Sequence, residues 1–123
     1  MHTFIGIFLI AHGLIHASYL TPKPDDPNYP FDYTKGWFAQ LAGGLAGPLG
    51  LALTLIVVTS FVLAGLGVLS VPGLGGMWKL AATVGAVAST VLLVLYWHPW
   101  LVLGLVINAV LLYGLHILQW SWR

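Results

Sequence analysis

Residues 49–69 read LGLALTLIVVTSFVLAGLGVL, and this stretch decides the fold. No side chain in it is charged, and about 20 consecutive apolar residues are enough for an α-helix to cross the hydrocarbon core of a bilayer. The stretch also lacks the strict alternation of apolar and polar residues that is typical of a membrane β-barrel strand. It therefore predicts a membrane-spanning helix.

Three further segments on either side of this stretch have the same character. They predict spans at about residues 3–20, 78–97 and 100–118, and Pro99 separates the last two. The first span has neither a basic start nor a clear cleavage site, so we expect a retained anchor rather than a signal peptide. The sequence thus predicts an all-α fold: a polytopic membrane protein in which residues 1–123 form one four-transmembrane-helix bundle.

One long polar segment interrupts the apolar pattern, at residues 21–35. Its four prolines disfavour a helix and predict an extended, extramembrane Pro-rich loop. Residues 36–47 (GWFAQLAGGLAG) have two interpretations. They form an interfacial helix, or they are an early part of the second span with a kink at Pro48.

The composition also indicates a chain that is embedded in a lipid bilayer. Charged residues make up 6% of the 123 residues, hydrophobic residues 59%, and the mean hydropathy is +0.96. So few charges cannot coat a soluble domain, and they also exclude a disordered chain and an electrostatic nucleic-acid binder. The chain has no cysteine, which excludes disulfides and thiolate metal sites.

The orientation of the chain in the membrane has to be predicted from few charged residues. Four spans place Lys79 and Arg123 on one side of the membrane, and Lys23 and Lys35 on the other side. The basic residues divide evenly, but the three acids share the Pro-rich loop, which favours cytoplasmic termini. We expect the inner membrane of a bacterium. The three acids are Asp25, Asp26 and Asp32.

Small residues recur at helical spacing in two places. We interpret both runs as internal helix packing, with a groove for a lipid, a pigment or another subunit as the alternative. The first run is Gly43 and Gly47, extended by Ala46 and Gly50; the second is Ala81, Gly85 and Ser89.

Five histidines are the most informative polar residues of so apolar a chain. His12 and His16 are four residues apart, so they share one face of the first helix. At about 1.5 Å per residue His12 lies near mid-membrane, close to the depth of Asn108 on the fourth span. His98 lies at the surface on the side of the acidic loop.

Three roles for these histidines stay open: a structural hydrogen bond, ligand binding, and proton transfer or catalysis. In the first, an interhelical hydrogen bond between His12 and Asn108 contributes roughly 0.6–2 kcal/mol. In the second, His12 and His16 bind Zn or Cu with His98, or a haem or chlorophyll-type pigment is held by one of these histidines near Asn108. Nucleophilic catalysis has little support, because no carboxylate within the spans orients a base near Ser18 and His16.

The sequence AHGLIH at residues 11–16, followed by a Pro-rich loop and an aromatic-rich start to the second helix, resembles small four-helix bacterial membrane proteins of uncharacterised function. The resemblance covers mainly the first 40 residues. It implies the fold and no activity or ligand.

Three functions follow, in order of preference. The first is an accessory or structural subunit of a larger membrane complex that handles electrons or pigments, in contact with lipid and with other subunits or with copies of itself. The second is a stand-alone membrane protein or enzyme that uses its histidines to bind haem or metal. The third is a small channel or transporter. The lack of catalytic residues favours a non-enzymatic role.

Overall fold

The computed structural model describes residues 2–20, 37–69, 72–73, 76–96 and 101–117. Within these ranges the chain is all-α, with four principal helices and no strand, which confirms the all-α part of the prediction. The helices are α1 (His2–Ile15, continued by a 3₁₀ segment His16–Leu20), the short α2 (Trp37–Ala42), α3 (Ala46–Val68), α4 (Trp78–Leu95) and α5 (Val102–His116).

Two helical stretches are long and apolar enough to cross a membrane by length and composition. They are Trp37–Val68 and Trp78–Leu95, whereas Thr3–Tyr19 and Val102–His116 are apolar but shorter. The described ranges therefore support two of the four predicted spans. The Pro-rich loop with its three acids and the corner at 97–100, on which the predicted orientation depends, lie outside the described residues.

The chain between Trp37 and Val68 combines the two interpretations of residues 36–47. It is helical almost throughout, and it is interrupted by a 3₁₀ turn at Gly43–Leu45 rather than at Pro48. Gly43 has a φ of +57°, a backbone conformation that favours glycine. Pro48 lies in the first turn of α3, where a missing N–H costs no helical hydrogen bond.

Glycines bring α1 and α3 into backbone contact. A Cβ atom added at Gly65 would lie 2.5 Å from the carbonyl oxygen of Gly6, and one added at Gly13 would lie 2.6 Å from Cβ of Phe61. Contacts of this kind let helices associate in lipid, where apolar burial adds little. α1 and α3 are therefore antiparallel helices held at close range.

The remaining helices pack in the order α3, α4, α5. Gly85 of α4 lies against the ring of Phe61, so the small-residue run on α4 serves internal packing, as predicted. The run on α2 and α3 divides, because Ala46 and Gly50 are buried while Gly43 and Gly47 are exposed. Internal packing thus accounts for only half of that run.

Helices α1 and α5 lie at the two edges of this order, and a groove separates them. Two hydrogen bonds that aromatic side chains donate to backbone carbonyls join other parts of the bundle. The indole Nε1 of Trp37 donates to the carbonyl of Val94 over 2.8 Å, and the buried hydroxyl of Tyr96 donates to the carbonyl of Ala46. Tyr96 therefore links α3 and the end of α4 inside the bundle.

Candidate functional site: a buried histidine–asparagine–serine circuit

Four polar side chains meet at the centre of the bundle, and each is at most 5% exposed. His12 and His16 come from α1 and its 3₁₀ continuation, because a spacing of four residues brings them to one face. Ser89 comes from the middle of α4, and Asn108 from the middle of α5. A buried polar group is costly unless it is hydrogen-bonded, so their partners decide what the cluster does.

The four side chains form a closed circuit of hydrogen bonds. His12 Nε2 lies 3.1 Å from Asn108 Oδ1, and Asn108 Nδ2 lies 2.8 Å from Ser89 Oγ. Ser89 Oγ lies 2.6 Å from His16 Nε2, and His16 Nδ1 lies 2.9 Å from the carbonyl oxygen of His12. The circuit therefore ties α1, α4 and α5 together.

The acceptors in the circuit fix the direction of every hydrogen bond. A carbonyl oxygen only accepts, so His12 carries its proton on Nε2 and His16 carries its proton on Nδ1. A neutral His16 then accepts at Nε2, and Ser89 donates to it while accepting from the amide of Asn108. Both imidazoles take part in the circuit in the neutral form, His16 through both ring nitrogens and His12 through Nε2.

Phe61 of α3 forms the apolar side of the cluster. Its ring meets the imidazole of His12 edge-on, with centroids 4.9 Å apart, and lies roughly parallel to that of His16 at 6.3 Å. Phe61 is fully buried, so it keeps lipid and water from this side of the circuit. The hydrogen bonds are therefore shielded on this side, which strengthens polar contacts.

The structure brings together three of the residues that the sequence predicted for a site. His12, His16 and Asn108 belong to one circuit, and the His12–Asn108 pairing is the hydrogen bond expected from their depths. His98 lies outside the described residues. Ser89 was predicted only as a small packing residue, whereas its hydroxyl joins two other helices. Its polarity beside Gly85 in the inward-facing run was the available signal.

Whether His12 and His16 can bind a metal or a haem depends on which of their ring nitrogens are already hydrogen-bonded. Both nitrogens of His16 and Nε2 of His12 are engaged in the circuit, so the two imidazoles do not offer a pair of lone pairs to one ion in this arrangement. Among the described ranges no cluster of three or more His or Asp side chains is suited to a metal. The ligand set that includes His98 stays a prediction.

The pair of Ser89 and His16 also has the donor and acceptor order of a nucleophile and its base. Ser89 is fully buried, however, and it lines neither of the two cavities beside the circuit. Within the described residues, Oγ therefore has no opening toward a substrate carbonyl, and the contact joins the 3₁₀ continuation of α1 to α4.

Comparison with known proteins finds no matching family model, no matching curated protein and no matching solved structure.

Proposed function

We propose that the chain is an integral membrane accessory or structural subunit of a larger membrane complex, one that handles electrons or pigments. In this proposal all four principal helices cross the inner membrane of a bacterium, and both termini face the cytoplasm. The observation that carries the proposal is an exposed apolar surface at the junction of α2 and α3, which we call the junction surface. It consists of Leu41, Gly44, Leu45, Gly47 and Leu49.

The junction surface combines large and small apolar residues. Leu41 is 77% exposed and Leu45 is 70% exposed, while the exposed Gly44 and Gly47 would meet no described atom within 4 Å of an added Cβ. Small residues let another helix approach closely, and neighbouring leucines then fill its grooves. The shape thus suits a helix of another subunit, or of a second copy of this chain.

The buried circuit supports a structural role for the histidines. Its hydrogen bonds use the polar groups of α1, α4 and α5 to hold the bundle in one arrangement. A self-contained bundle of this kind presents its apolar faces to lipid or to neighbouring subunits, as an accessory subunit must.

Site-specific photo-crosslinking in native membranes tests the proposal. A photoreactive residue replaces Leu45, and the matched control replaces Val87, which is 49% exposed on α4 and lies outside the junction surface. We expect a discrete protein adduct from position 45 and much less from position 87, together with a complex larger than the monomer after extraction into native nanodiscs. A monomer that forms only lipid adducts at both positions contradicts the proposal.

A second candidate is a histidine-based metal- or haem-binding protein. The observation in its favour is a cavity of about 140 Å³ that is lined by both His12 and His16. That cavity is close to the volume that accepts a benzene ring, and it is far smaller than a tetrapyrrole. An absorption spectrum and elemental analysis of gently extracted protein test this candidate, because a colourless and metal-free sample excludes it.

A further inference from the structure

Two cavities occupy the groove between α1 and α5, which we call the α1–α5 groove. The first, of about 140 Å³, lies beside the circuit, and the second, of about 330 Å³, has only apolar residues around it. Ile107 lines both, so the two cavities are neighbouring parts of one groove. The first is lined by His12, Ile15, His16, Leu93, Leu103 and Gly104 among others; the second by Phe4, Phe8, Val106, Val110 and Leu111 among others.

His12 lines the first cavity, and the circuit uses only one of its two ring nitrogens. His12 donates from Nε2, so its Nδ1 carries a lone pair in the neutral ring and accepts hydrogen bonds. Within the part of the chain that the structure describes, Nδ1 has no hydrogen-bond partner. A ligand that reaches this nitrogen from the cavity has to bring an O–H or N–H donor, because Nδ1 only accepts.

We propose that the α1–α5 groove binds a long-chain phenol or hydroquinone. The single ring occupies the first cavity, its hydroxyl donates to Nδ1 of His12, and the hydrocarbon chain lies in the second cavity. The volumes fit this division, because a cavity of about 150 Å³ accepts one benzene ring.

Other occupants of the groove fit less well. A phospholipid acyl chain fills the second cavity but brings no donor to His12. A charged head group would enter a site whose two imidazoles are neutral and whose other lining side chains are apolar, so it would lose its hydration without gaining a counter-charge. A partner helix is too wide for the first cavity, since a helix with its side chains is about 10 Å across.

The test uses the full chain in phosphatidylcholine nanodiscs, with ¹⁵N-labelled histidine and 2-decylhydroquinone as the probe. We expect a saturable change in the ¹⁵N shift of His12 Nδ1 at one probe per chain. The dimethyl ether of the same probe lacks the donor, and we expect it to bind about fivefold more weakly, as the loss of one neutral hydrogen bond predicts. Decylbenzene reports binding by the chain alone.

A matched pair of variants locates the site. Leu103 is 66% exposed and lines the first cavity, whereas the adjacent Val102 is 52% exposed and lines neither cavity. Leu103→Trp narrows the first cavity and should weaken binding about tenfold, while Val102→Trp should leave it within about twofold. Both changes are on the exposed side of α5, and equal unfolding midpoints show that both variants fold.

The inference would be overturned by no saturable binding, by equal affinities for the hydroquinone and its ether, or by equal affinities in the two variants. Tight binding of decylbenzene would assign the groove to lipid chains instead, which also overturns it. The inference goes beyond the proposed subunit role and does not require it. A monomer that binds the probe refutes the subunit proposal alone, and an oligomer that does not bind refutes this inference alone.

Discussion

The hydrogen bond between His12 and Asn108 gives the sharpest test of the buried circuit, through a double-mutant cycle. His12→Phe keeps the shape of a ring and removes its Nε2–H donor, and Asn108→Leu keeps the side-chain size and removes both amide groups. Each single change leaves a buried partner unsatisfied, which costs about 1–3 kcal/mol. The double variant removes both partners together, so it should be less destabilised than the sum of the two single variants.

The expected coupling energy follows from the measured strength of such bonds in membranes. Interhelical hydrogen bonds in lipid are worth about 0.6–2 kcal/mol, and this bond is 3.1 Å long between two nearly inaccessible side chains. We therefore expect a coupling of about 1 kcal/mol in the free energy of unfolding. Reversible unfolding in mixed micelles with increasing sodium dodecyl sulfate, followed by circular dichroism, measures all four proteins.

A second cycle at an exposed pair provides the control. Thr83 Oγ1 and His116 Nε2 are 2.9 Å apart on α4 and α5, and this contact is exposed. Thr83→Val with His116→Phe should give a smaller coupling, because Thr83 retains an acceptor on its own helix in the native protein. A His12–Asn108 coupling within about 0.3 kcal/mol of zero would refute the reasoning, since distant, independent sites give values of that size.

Three further predictions concern single positions. Ser89→Ala should destabilise the protein by about 1–3 kcal/mol in the same unfolding assay, because two partners lose the same hydroxyl. The control Thr90→Val breaks only a hydrogen bond within its own helix, so it should cost much less. Gly65→Ala should lower the free energy of unfolding by about 1–3 kcal/mol, because the added methyl group pushes a carbonyl of α1 away. Gly47→Ala should be neutral or stabilising, because its methyl group meets no described atom. Equal effects of the two substitutions would contradict the glycine contact. The ¹⁵N spectrum of His16 should show a neutral ring protonated on Nδ1, and a ring protonated only on Nε2 would be incompatible with the circuit.

Depth along the helices was predictable from the sequence, and rotation about their axes was not. Counting residues from the ends of the spans placed His12 and Asn108 at one level, and they are hydrogen-bonded. Ser89 was at a suitable depth too, but α4 is apolar around most of its circumference, so the pattern could not show that its hydroxyl points toward α1 and α5. The packing of Gly85 against Phe61 is one of the contacts that set this direction.

The exposed Gly43 and Gly47 also show that a sequence pattern does not tell which face of a helix packs inside the bundle. A GxxxG spacing indicates that a close approach is available, but it does not say whether the approaching helix belongs to the same chain. Within the described residues, the close contacts use glycines that no such motif marks, including Gly6, Gly13 and Gly65. These glycines are recognisable only once the antiparallel register of α1 and α3 is known.

The two kinds of contact made by α1 constrain its rotational phase independently. At 100° per residue, the face of Gly6 and Gly13 and the face of His12 and His16 are about 90° apart around the helix. The first face sets the phase by steric exclusion against α3, and the second sets it by hydrogen bonding to α4 and α5. Loss of either contact therefore leaves the other to hold the same angle, so substitutions in the circuit should lower stability while the helix keeps its azimuth.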